Sequence, residues 1–262
     1  MSWDLRCGRW QDTLAGVECD ALICDPPYGA KTHKGHNNGV DTARLEGEEK
    51  RMRIDKRTGA VYSVGVSRRR TIDYSHWSAE DVAEFVTAWA PRVRGWFVAM
   101  TSHDLIGAWQ TAYEAAGLYP FAPVAWVSPG GTVRLGGDGP ANWTCYVMVA
   151  RPRSREWQRW GALPGAYVIG RGQGNHIGGK PAALMRALIR DYTRPGDLVC
   201  DPCAGGGTTL LAAVQEGRRA VGSELDPETH AKAVERLERK LAQSDLWAAC
   251  ERVKAAEQTD LL

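Results

Sequence analysis

Two short apolar runs that each end in Asp-Pro constrain the fold of this chain more than any other feature. Residues 21–24 run into Asp25 and Pro26, and residues 198–200 run into Asp201 and Pro202. Runs of this kind are typical of strands that are covered on both faces of a parallel sheet. In such sheets ligands bind beyond the carboxyl ends of the strands, so both Asp-Pro pairs lie where a site would form.

The remaining segments alternate between strand and helix patterns. The chain has 262 residues, enough for one α/β domain with an insertion. We expect strands at residues 3–7, 21–24, 96–100, 119–127 and 143–150, and helices near 11–15, 78–90 and 104–116. Ser78 and Asp81 resemble a capping box, and the chain closes with a helix-strand-helix-strand-helix unit ending near Gln243. This alternation predicts a mainly parallel sheet with helices on both faces.

The first Asp-Pro pair belongs to the sequence Asp25-Pro26-Pro27-Tyr28. Proline fixes φ and pushes the preceding residue toward extended geometry, so the turn is stiff. It can hold the Asp25 carboxylate and the Pro26 carbonyl as neighbouring acceptors, with the Tyr28 ring available for stacking. We interpret this as a grip for the exocyclic amino group of a nucleobase; the alternative is a plain turn in which Asp25 bonds its own backbone.

The second pair opens a glycine-rich turn that leads into a helix. The candidate ligand-binding residues here are Asp201, Pro202, Cys203, Ala204, Gly205, Gly206, Gly207 and Thr208. Glycines let a backbone approach a ligand and aim N–H groups at it from a helix N-terminus. Glu224 lies 19 residues beyond Gly205, near the offset at which an acidic residue reaches ribose hydroxyls. Asp226 and Pro227 read as a helix cap, which leaves Glu224 available to a ligand.

These two motifs together resemble the amino-methylating DNA methyltransferases, which carry an Asp-Pro-Pro-Tyr element and an Asp-Pro-Phe-x-Gly-Ser-Gly-Thr-Thr element. The catalytic element comes first here, which resembles the family's circularly permuted beta class. A third element, His176 followed by Lys180 and Pro181, is similar to the family's His-Pro-Thr-Gln-Lys-Pro segment. Four departures stand out. Cys203 replaces an aromatic residue, Gly206 replaces Ser, and Ile177-Gly178-Gly179 replace Pro-Thr-Gln. Arg9 replaces an Asp that meets the cofactor's adenine in the family, with Asp12 a possible substitute.

The resemblance implies a Rossmann-like methyltransferase fold, circularly permuted, with a mainly parallel seven-stranded sheet. It implies S-adenosyl-L-methionine as cofactor, with Glu224 at its ribose and Lys180 at its carboxylate. It also places His176 among the cofactor-binding residues. Asp25, Pro26, Pro27 and Tyr28 would be catalytic, and Asp in the first position favours adenine N6 as the methylated atom. The alternatives are a cytosine-N4 DNA methyltransferase, an inactive fold that only binds nucleic acid and, less in keeping with the permuted order, an RNA-modifying enzyme.

On this interpretation the chain is a single methyltransferase domain, residues 1–262. It divides into a catalytic strand and motif (1–28), a basic insertion (29–75), the rest of the catalytic half (76–127 and 143–150) and a cofactor-binding half (176–245). Target recognition is expected in loops 128–142 and 151–175, which hold Arg134, Arg153, Arg155, Arg159 and Arg171. We take Trp143, Trp157 and Trp160 as core residues.

Charge favours a DNA-facing role for one segment, and the resemblance implies double-stranded DNA as the partner. The net charge is only +2, but residues 31–70 hold eleven Lys or Arg against five Asp or Glu. Localised positive charge binds phosphates through counterion release; the alternative is a solvated loop without a partner. A homodimer is possible because relatives are often dimers.

Compartment and metal content follow from simple patterns. No run of about 20 apolar residues predicts a membrane span, and the first residues do not resemble a secretory leader. Seven scattered cysteines suit a reducing cytoplasm. Cys200 and Cys203 have the spacing of half a zinc site, but without a second pair they are not expected to bind metal.

Overall fold

The computed structural model describes residues 2–30, 51–54, 58–64, 75–129, 143–153, 160–170 and 179–259. The expectations for several residues fall outside these ranges: His176, Trp157, Arg134, Arg155, Arg159 and Arg171. None of the helices in the described ranges is both long and apolar enough to cross a bilayer.

The described elements alternate along the chain. The strands are β1 (Trp3–Cys7), β2 (Ala21–Cys24), β3 (Arg51–Ile54), β4 (Val61–Val64), β5 (Phe97–Thr101), β6 (Tyr119–Pro120), β7 (Val124–Val127), β8 (Thr144–Arg151), β9 (Ala166–Val168), β10 (Leu198–Asp201) and β11 (Arg219–Glu224). The helices are α1 (Trp10–Thr13), α2 (Ala79–Trp89), α3 (Ile106–Ala115), α4 (Ala182–Tyr192), α5 (Thr208–Gln215) and α6 (Pro227–Thr259), with a 3₁₀ turn at Ala90–Arg92.

Within the described residues a nine-stranded sheet forms the centre, in the order β1-β11-β10-β2-β5-β8-β7-β9 with β6 beside β8. The five strands from β1 to β5 in this order pair in parallel. β8 runs antiparallel to β5, β6 and β7, and β9 is parallel to β7. The expected mainly parallel α/β sheet is therefore confirmed.

The sheet has two strands more than the seven expected, and both are short. The single strand expected over residues 119–127 is divided into β6 and β7, because Pro123 between them has no N–H to donate to the ladder. Residues 151–175, expected to be irregular, contain the three-residue strand β9, which pairs with β7 at the edge. A run this short carries too few residues for a recognisable period.

One hydrophobic core lies on each face of the sheet. Because side chains alternate along a strand, Leu22 packs into the core under α2 and α3 while Ile23 packs into the core under α4, α5 and α6. Phe85 of α2 and Leu188 of α4 are representative of the two layers. Both faces of β2 are therefore covered, which explains its unbroken apolar sequence.

The helix ends agree with the local sequence at some places and not at others. Ser78 and Asp81 form the expected capping box at the start of α2, with both bonds present. The expected end of the last helix near Gln243 is wrong, since α6 continues to Thr259. No glycine or proline follows Pro227 within α6, so no residue breaks the helix there.

β3 and β4 form a separate antiparallel hairpin within residues 29–75.

Candidate active site

The two Asp-Pro motifs leave neighbouring strands at the same edge of the sheet. β2 and β10 pair in parallel, with Ala21 opposite Val199 and Leu22 opposite Cys200. Their carboxyl ends therefore deliver Asp25 and Asp201 side by side, as the sequence predicts. This pairing defines the candidate site, which lies at the carboxyl edge of the parallel strands.

Asp25 is held in an ion pair. Its Oδ2 accepts from Nζ of Lys180, and the two side chains are 25% and 10% exposed, respectively. Its Oδ1 is buried and has no hydrogen-bond partner among the described residues. Pro26 is buried behind the carboxylate and Pro27 is half-buried. Lys180, for which the resemblance implies a contact with a cofactor carboxylate, thus lies on the carboxylate of Asp25.

Tyr28 is half-buried beside this pair. The Lys180 ammonium lies 4.8 Å from the centre of the Tyr28 ring, within the range of a cation–π contact. The Tyr28 hydroxyl is 2.9 Å from Sγ of Cys145, whose thiol donates to the Thr101 carbonyl at 3.2 Å. Burial, followed by the nearby negative charge of Asp25, raises the pKa of Tyr28 well above its usual value.

Gly29 closes the motif through a very close approach. Its N–H donates to Oγ of Ser102 at 3.1 Å. A Cβ on Gly29 would stand 2.2 Å from Oδ2 of Asp104, so a larger residue would displace that carboxylate. The sequence does not reveal Cys145, Ser102 or Asp104 as neighbours of the motif, because they are distant in the chain and belong to no recognisable pattern.

Asp201 lies beneath the glycine-rich loop. It is 2% exposed, and its Oδ1 accepts from the Cys203 N–H at 3.1 Å. Burial raises the pKa of Asp201 to about 7, with smaller contributions from Asp25 and Glu224, while hydrogen bonds from Thr209 and Cys203 act in the opposite direction. The sequence predicts that Asp201 lines a cofactor; the structure places its carboxylate where it supports the loop.

The loop itself needs glycine at two positions. Gly205 and Gly207 adopt φ values of +51° and +72°, which side chains rarely tolerate. The Gly207 N–H donates to the Ala204 carbonyl at 2.8 Å, and the Ala204 N–H to the Ser223 carbonyl at 2.9 Å. A Cβ on Gly205 would meet no heavy atom within 4 Å, so this face of the loop is open. Cys203, Gly206 and Thr208 are partly exposed and Pro202 is buried.

Glu224, at the end of β11, connects the loop to α6. Its Oε2 accepts from the Gly205 N–H at 2.8 Å and its Oε1 from the Asp226 N–H at 2.9 Å. Asp226 caps α6 as expected, by accepting from the Thr229 N–H at 2.7 Å. Both carboxylate oxygens of Glu224 therefore already accept from backbone N–H groups. Each oxygen keeps a second lone pair, and the side chain is partly exposed.

Arg236 of α6 contacts the loop from its other side. Its guanidinium donates to the Gly206 carbonyl and, at 3.0 Å, to Oγ1 of Thr208. Desolvation lowers the pKa of Arg236. Nothing in the sequence around Arg236 indicates this contact, since many charged residues on a long helix are solvated.

The first strand ends next to Glu224. The Gly8 N–H donates to the Glu224 carbonyl at 2.9 Å. Arg9, at the N-cap of α1, and Asp12, within α1, are both exposed. The position where the family carries Asp therefore lies at the same edge as the glycine-rich loop.

The candidate recognition loops leave opposite edges of the sheet. Val127 pairs with Thr144 and Val168, so loop 128–142 and the segment after β9 begin at the edge that carries the site. Arg151 instead pairs with Tyr119 at the other edge, and Arg153 follows it there. Residues 151–153 therefore lie far from Asp25, which does not fit the expected recognition role of Arg153.

The tryptophans expected in the core differ in burial. Trp143 is 41% exposed, so its assignment to the core is wrong: it stands at the start of β8, beside the loop. Trp160 packs against Trp96, and its indole N–H donates to the Asp191 carbonyl at 2.8 Å.

Sequence comparison identifies a likeness to DNA methylases. A family model described as DNA methylase matches residues 137–235, from the loop before β8 to the first turns of α6. The type II methyltransferase M.Cfr9I of Citrobacter freundii is 30% identical over 152 residues, 52% of this chain and 51% of the relative. The DNA adenine methyltransferase YhdJ of Escherichia coli is 39% identical over 64 residues, 24% of this chain and 22% of the relative.

Solved structures share the fold over nearly the whole chain. A complex of M1.HpyAVI with SAM superposes with a TM-score of 0.57 at 19% identity, covering 88% of this chain and 99% of that chain. PvuII DNA methyltransferase, described as cytosine-N4-specific, gives a TM-score of 0.58 at 14% identity and covers 92% of each chain. The chain thus has the Rossmann-like fold of the DNA methyltransferases. The sequence matches span about half the length of M.Cfr9I and less of YhdJ.

Proposed function

We propose that this protein is an S-adenosylmethionine-dependent DNA methyltransferase that modifies the exocyclic N6 of adenine. The observation that carries the proposal is the parallel pairing of β2 with β10. This pairing puts an amine-accepting carboxylate, Asp25, next to a glycine-rich loop suited to a nucleotide-like ligand. The match to the DNA methylase family over residues 137–235 supports the same function.

The Asp-Pro-Pro-Tyr motif would activate the target amine. The amino lone pair of adenine is conjugated with the ring, so the nitrogen is a poor nucleophile. Hydrogen bonds from the amino group to the Asp25 carboxylate and the Pro26 carbonyl would localise that pair on nitrogen and offset the positive charge that develops there. Tyr28 would stack on the base, a contact worth ~1–3 kcal/mol. A base must leave the duplex to reach such a pocket.

The glycine-rich loop and the residues that support it fit the proposed cofactor. The face of the loop at Gly205 is open, and the Glu224 carboxylate next to it keeps lone pairs for ribose hydroxyls. Gly206, Gly207 and Thr208 complete the backbone that would surround the ligand. S-adenosylmethionine, when bound, would supply an activated methyl group. Because Asp25 and this loop share one edge, the two reactants would meet without a covalent enzyme intermediate.

Double-stranded DNA is the proposed partner. Loop 128–142 and the segment after β9 leave the edge that carries Asp25, which supports them as the target-recognition elements. The basic residues between 31 and 70 would neutralise phosphates. A cytoplasmic location and a homodimer remain parts of this proposal.

Cytosine N4 is the second candidate target. PvuII DNA methyltransferase, described as cytosine-N4-specific, shares the fold, whereas the adenine methyltransferase YhdJ shares 39% identity over a short segment. We favour adenine because Asp25 in the first motif position resembles the adenine enzymes. Long-read sequencing of DNA from an expressing host, with mass analysis of its nucleosides, will identify the modified base and the target sequence.

Replacing the proposed catalytic carboxylate tests the function directly. We expect Asp25→Ala to abolish methyl transfer to DNA. The affinity for S-adenosylmethionine, measured by calorimetry, should stay within about three-fold, a change of well under about 1.4 kcal/mol, because Asp25 adjoins the glycine-rich loop without being part of it. Glu228→Ala, which removes a carboxylate that is 77% exposed on α6, is the control and should retain activity. Normal turnover by Asp25→Ala would refute the assigned role. Failure of the unmodified protein to bind S-adenosylmethionine would favour an inactive fold.

A further inference from the structure

Lys180 is the residue of the candidate site whose position the proposed reaction does not explain. Its ammonium pairs with Oδ2 of Asp25 and lies 4.8 Å from the centre of the Tyr28 ring. These are the two groups that the target base is proposed to contact, one by hydrogen bonding and the other by stacking. Lys180 therefore contacts both of the groups that are proposed to hold the base.

The geometry of Asp25 leaves little alternative for the incoming amine. Oδ1 of Asp25 is buried. The exposed part of the carboxylate is consequently at Oδ2, and Oδ2 is bound to Lys180. Oδ2 keeps a second lone pair, but an amino group that binds there has to share the oxygen with the adjacent ammonium.

Electrostatics also disfavour simultaneous binding. In the proposed reaction the attacking nitrogen gains positive charge, and an ammonium on the same carboxylate would oppose this development. Without DNA the same ammonium is favourable, because it compensates a carboxylate that is only 25% exposed.

We propose that Lys180 fills the target-base pocket of the DNA-free protein and is displaced from Asp25 and Tyr28 when the base enters. The inference rests on the proposed function, since it takes Asp25 and Tyr28 as the base-binding residues. Lys180 then adds a free-energy cost to base binding, because the base must replace an ion pair and a cation–π contact.

The test is DNA affinity of charge-removing and charge-keeping variants. The probe is a duplex that contains the target sequence found by sequencing the modified host DNA, with S-adenosylhomocysteine present so that no turnover occurs. Loss of a positive charge ordinarily weakens DNA binding. We expect Lys180→Met to bind the duplex about ten-fold more tightly, equal to about 1.4 kcal/mol of displacement cost removed. Lys180→Arg, which keeps the charge but not the shape of the ammonium, should bind the duplex no more tightly than the unmodified protein.

Two controls separate displacement from other effects. Lys232→Met removes an ammonium that pairs with Glu228 on the exposed surface of α6, and it should leave affinity unchanged or weaken it. If the effect passes through Asp25, the gain from Lys180→Met should vanish in the Asp25→Ala background, as a double-mutant cycle would detect.

Equal or weaker binding by Lys180→Met would overturn the displacement proposal. That outcome is distinct from failure of the proposed function, because methyl transfer to DNA by the unmodified protein is measured separately.

Discussion

Asp25 and Asp201 follow neighbouring strands in the same Asp-Pro context, yet their surroundings give them different properties. Asp25 pairs with an ammonium and is partly exposed. Asp201 is buried under the loop, and its hydrogen-bond partners among the described residues, the Cys203 N–H and Thr209, are uncharged. Burial without a cation disfavours the ionised form. One aspartate is therefore suited to binding a ligand, and the other to supporting the backbone of the loop.

The raised pKa of Asp201 predicts a pH-dependent stability. The folded-state pKa of about 7 exceeds the usual 3.8, so the folded protein holds a proton that the unfolded chain releases between these values. The contribution of Asp201 to stability is thus present at low pH and is lost as pH rises through about 7. Asp201→Asn keeps an acceptor for the Cys203 N–H and cannot ionise.

We expect Asp201→Asn to match the unmodified protein near pH 4 and to be more stable at pH 8, by at most about 4 kcal/mol. Urea unfolding at both values measures the difference. Asp4→Asn, which changes a carboxylate that is 52% exposed, controls for the loss of an acidic group. Parallel pH profiles for Asp201→Asn and the unmodified protein would contradict the prediction.

At the scale of elements, the glycine-rich loop is held by three neighbours rather than by its own sequence. The Asp201 carboxylate accepts a hydrogen bond from the loop, and Glu224 connects the loop to the start of α6. Arg236, in the third turn of α6, donates to the loop. A loop with two glycines at positive φ has many conformations when unfolded. Contacts from adjacent elements are therefore needed to preorganise it.

The contact between α6 and the loop predicts a specific loss in Arg236→Met, which keeps most of the apolar stem. We expect about ten-fold weaker binding of S-adenosylmethionine, since one hydrogen bond to a charged group contributes about 1.5–3 kcal/mol. Calorimetric titration measures the affinity. Arg239→Met, on the exposed side of the same helix, should bind as the unmodified protein does. Equal affinities for the two variants would show that Arg236 does not order the loop.

At the scale of the whole molecule, one continuous sheet separates two cores that share β2. Leu22 and Ile23 are adjacent in sequence, are fully buried, and point into opposite cores. Because the same strand contributes to both, neither core can be lost while the other keeps its native packing.

This arrangement predicts cooperative unfolding. Leu22→Ala and Ile23→Ala should each lower the free energy of unfolding by about 2–5 kcal/mol, whereas Ile23→Val should cost about 0.5–1.5 kcal/mol. Circular dichroism and tryptophan fluorescence, followed in the same urea titration, should report one shared transition in all three variants. A second transition confined to one variant would indicate two independent units.

Local sequence predicted the structure correctly where a single short segment determines the backbone conformation. The capping box at Ser78, the strands that end at Asp25 and Asp201, and the cap at Asp226 all follow from interactions within a few residues. The prediction failed at the division of residues 119–127 and at the end of α6, although Pro123 and the absence of glycine and proline after Pro227 are both local features of the sequence.

The amino-acid sequence by itself determined an α/β sheet, the two strand ends that carry chemistry, and the glycine-rich turn, because periodicity, proline and glycine act through local backbone geometry. Only the tertiary structure decided that Lys180 lies on Asp25, that Cys145 meets Tyr28, and that Arg236 reaches the loop. These contacts join residues that are far apart in the chain. Their formation depends on strand order and helix packing, which no local pattern encodes.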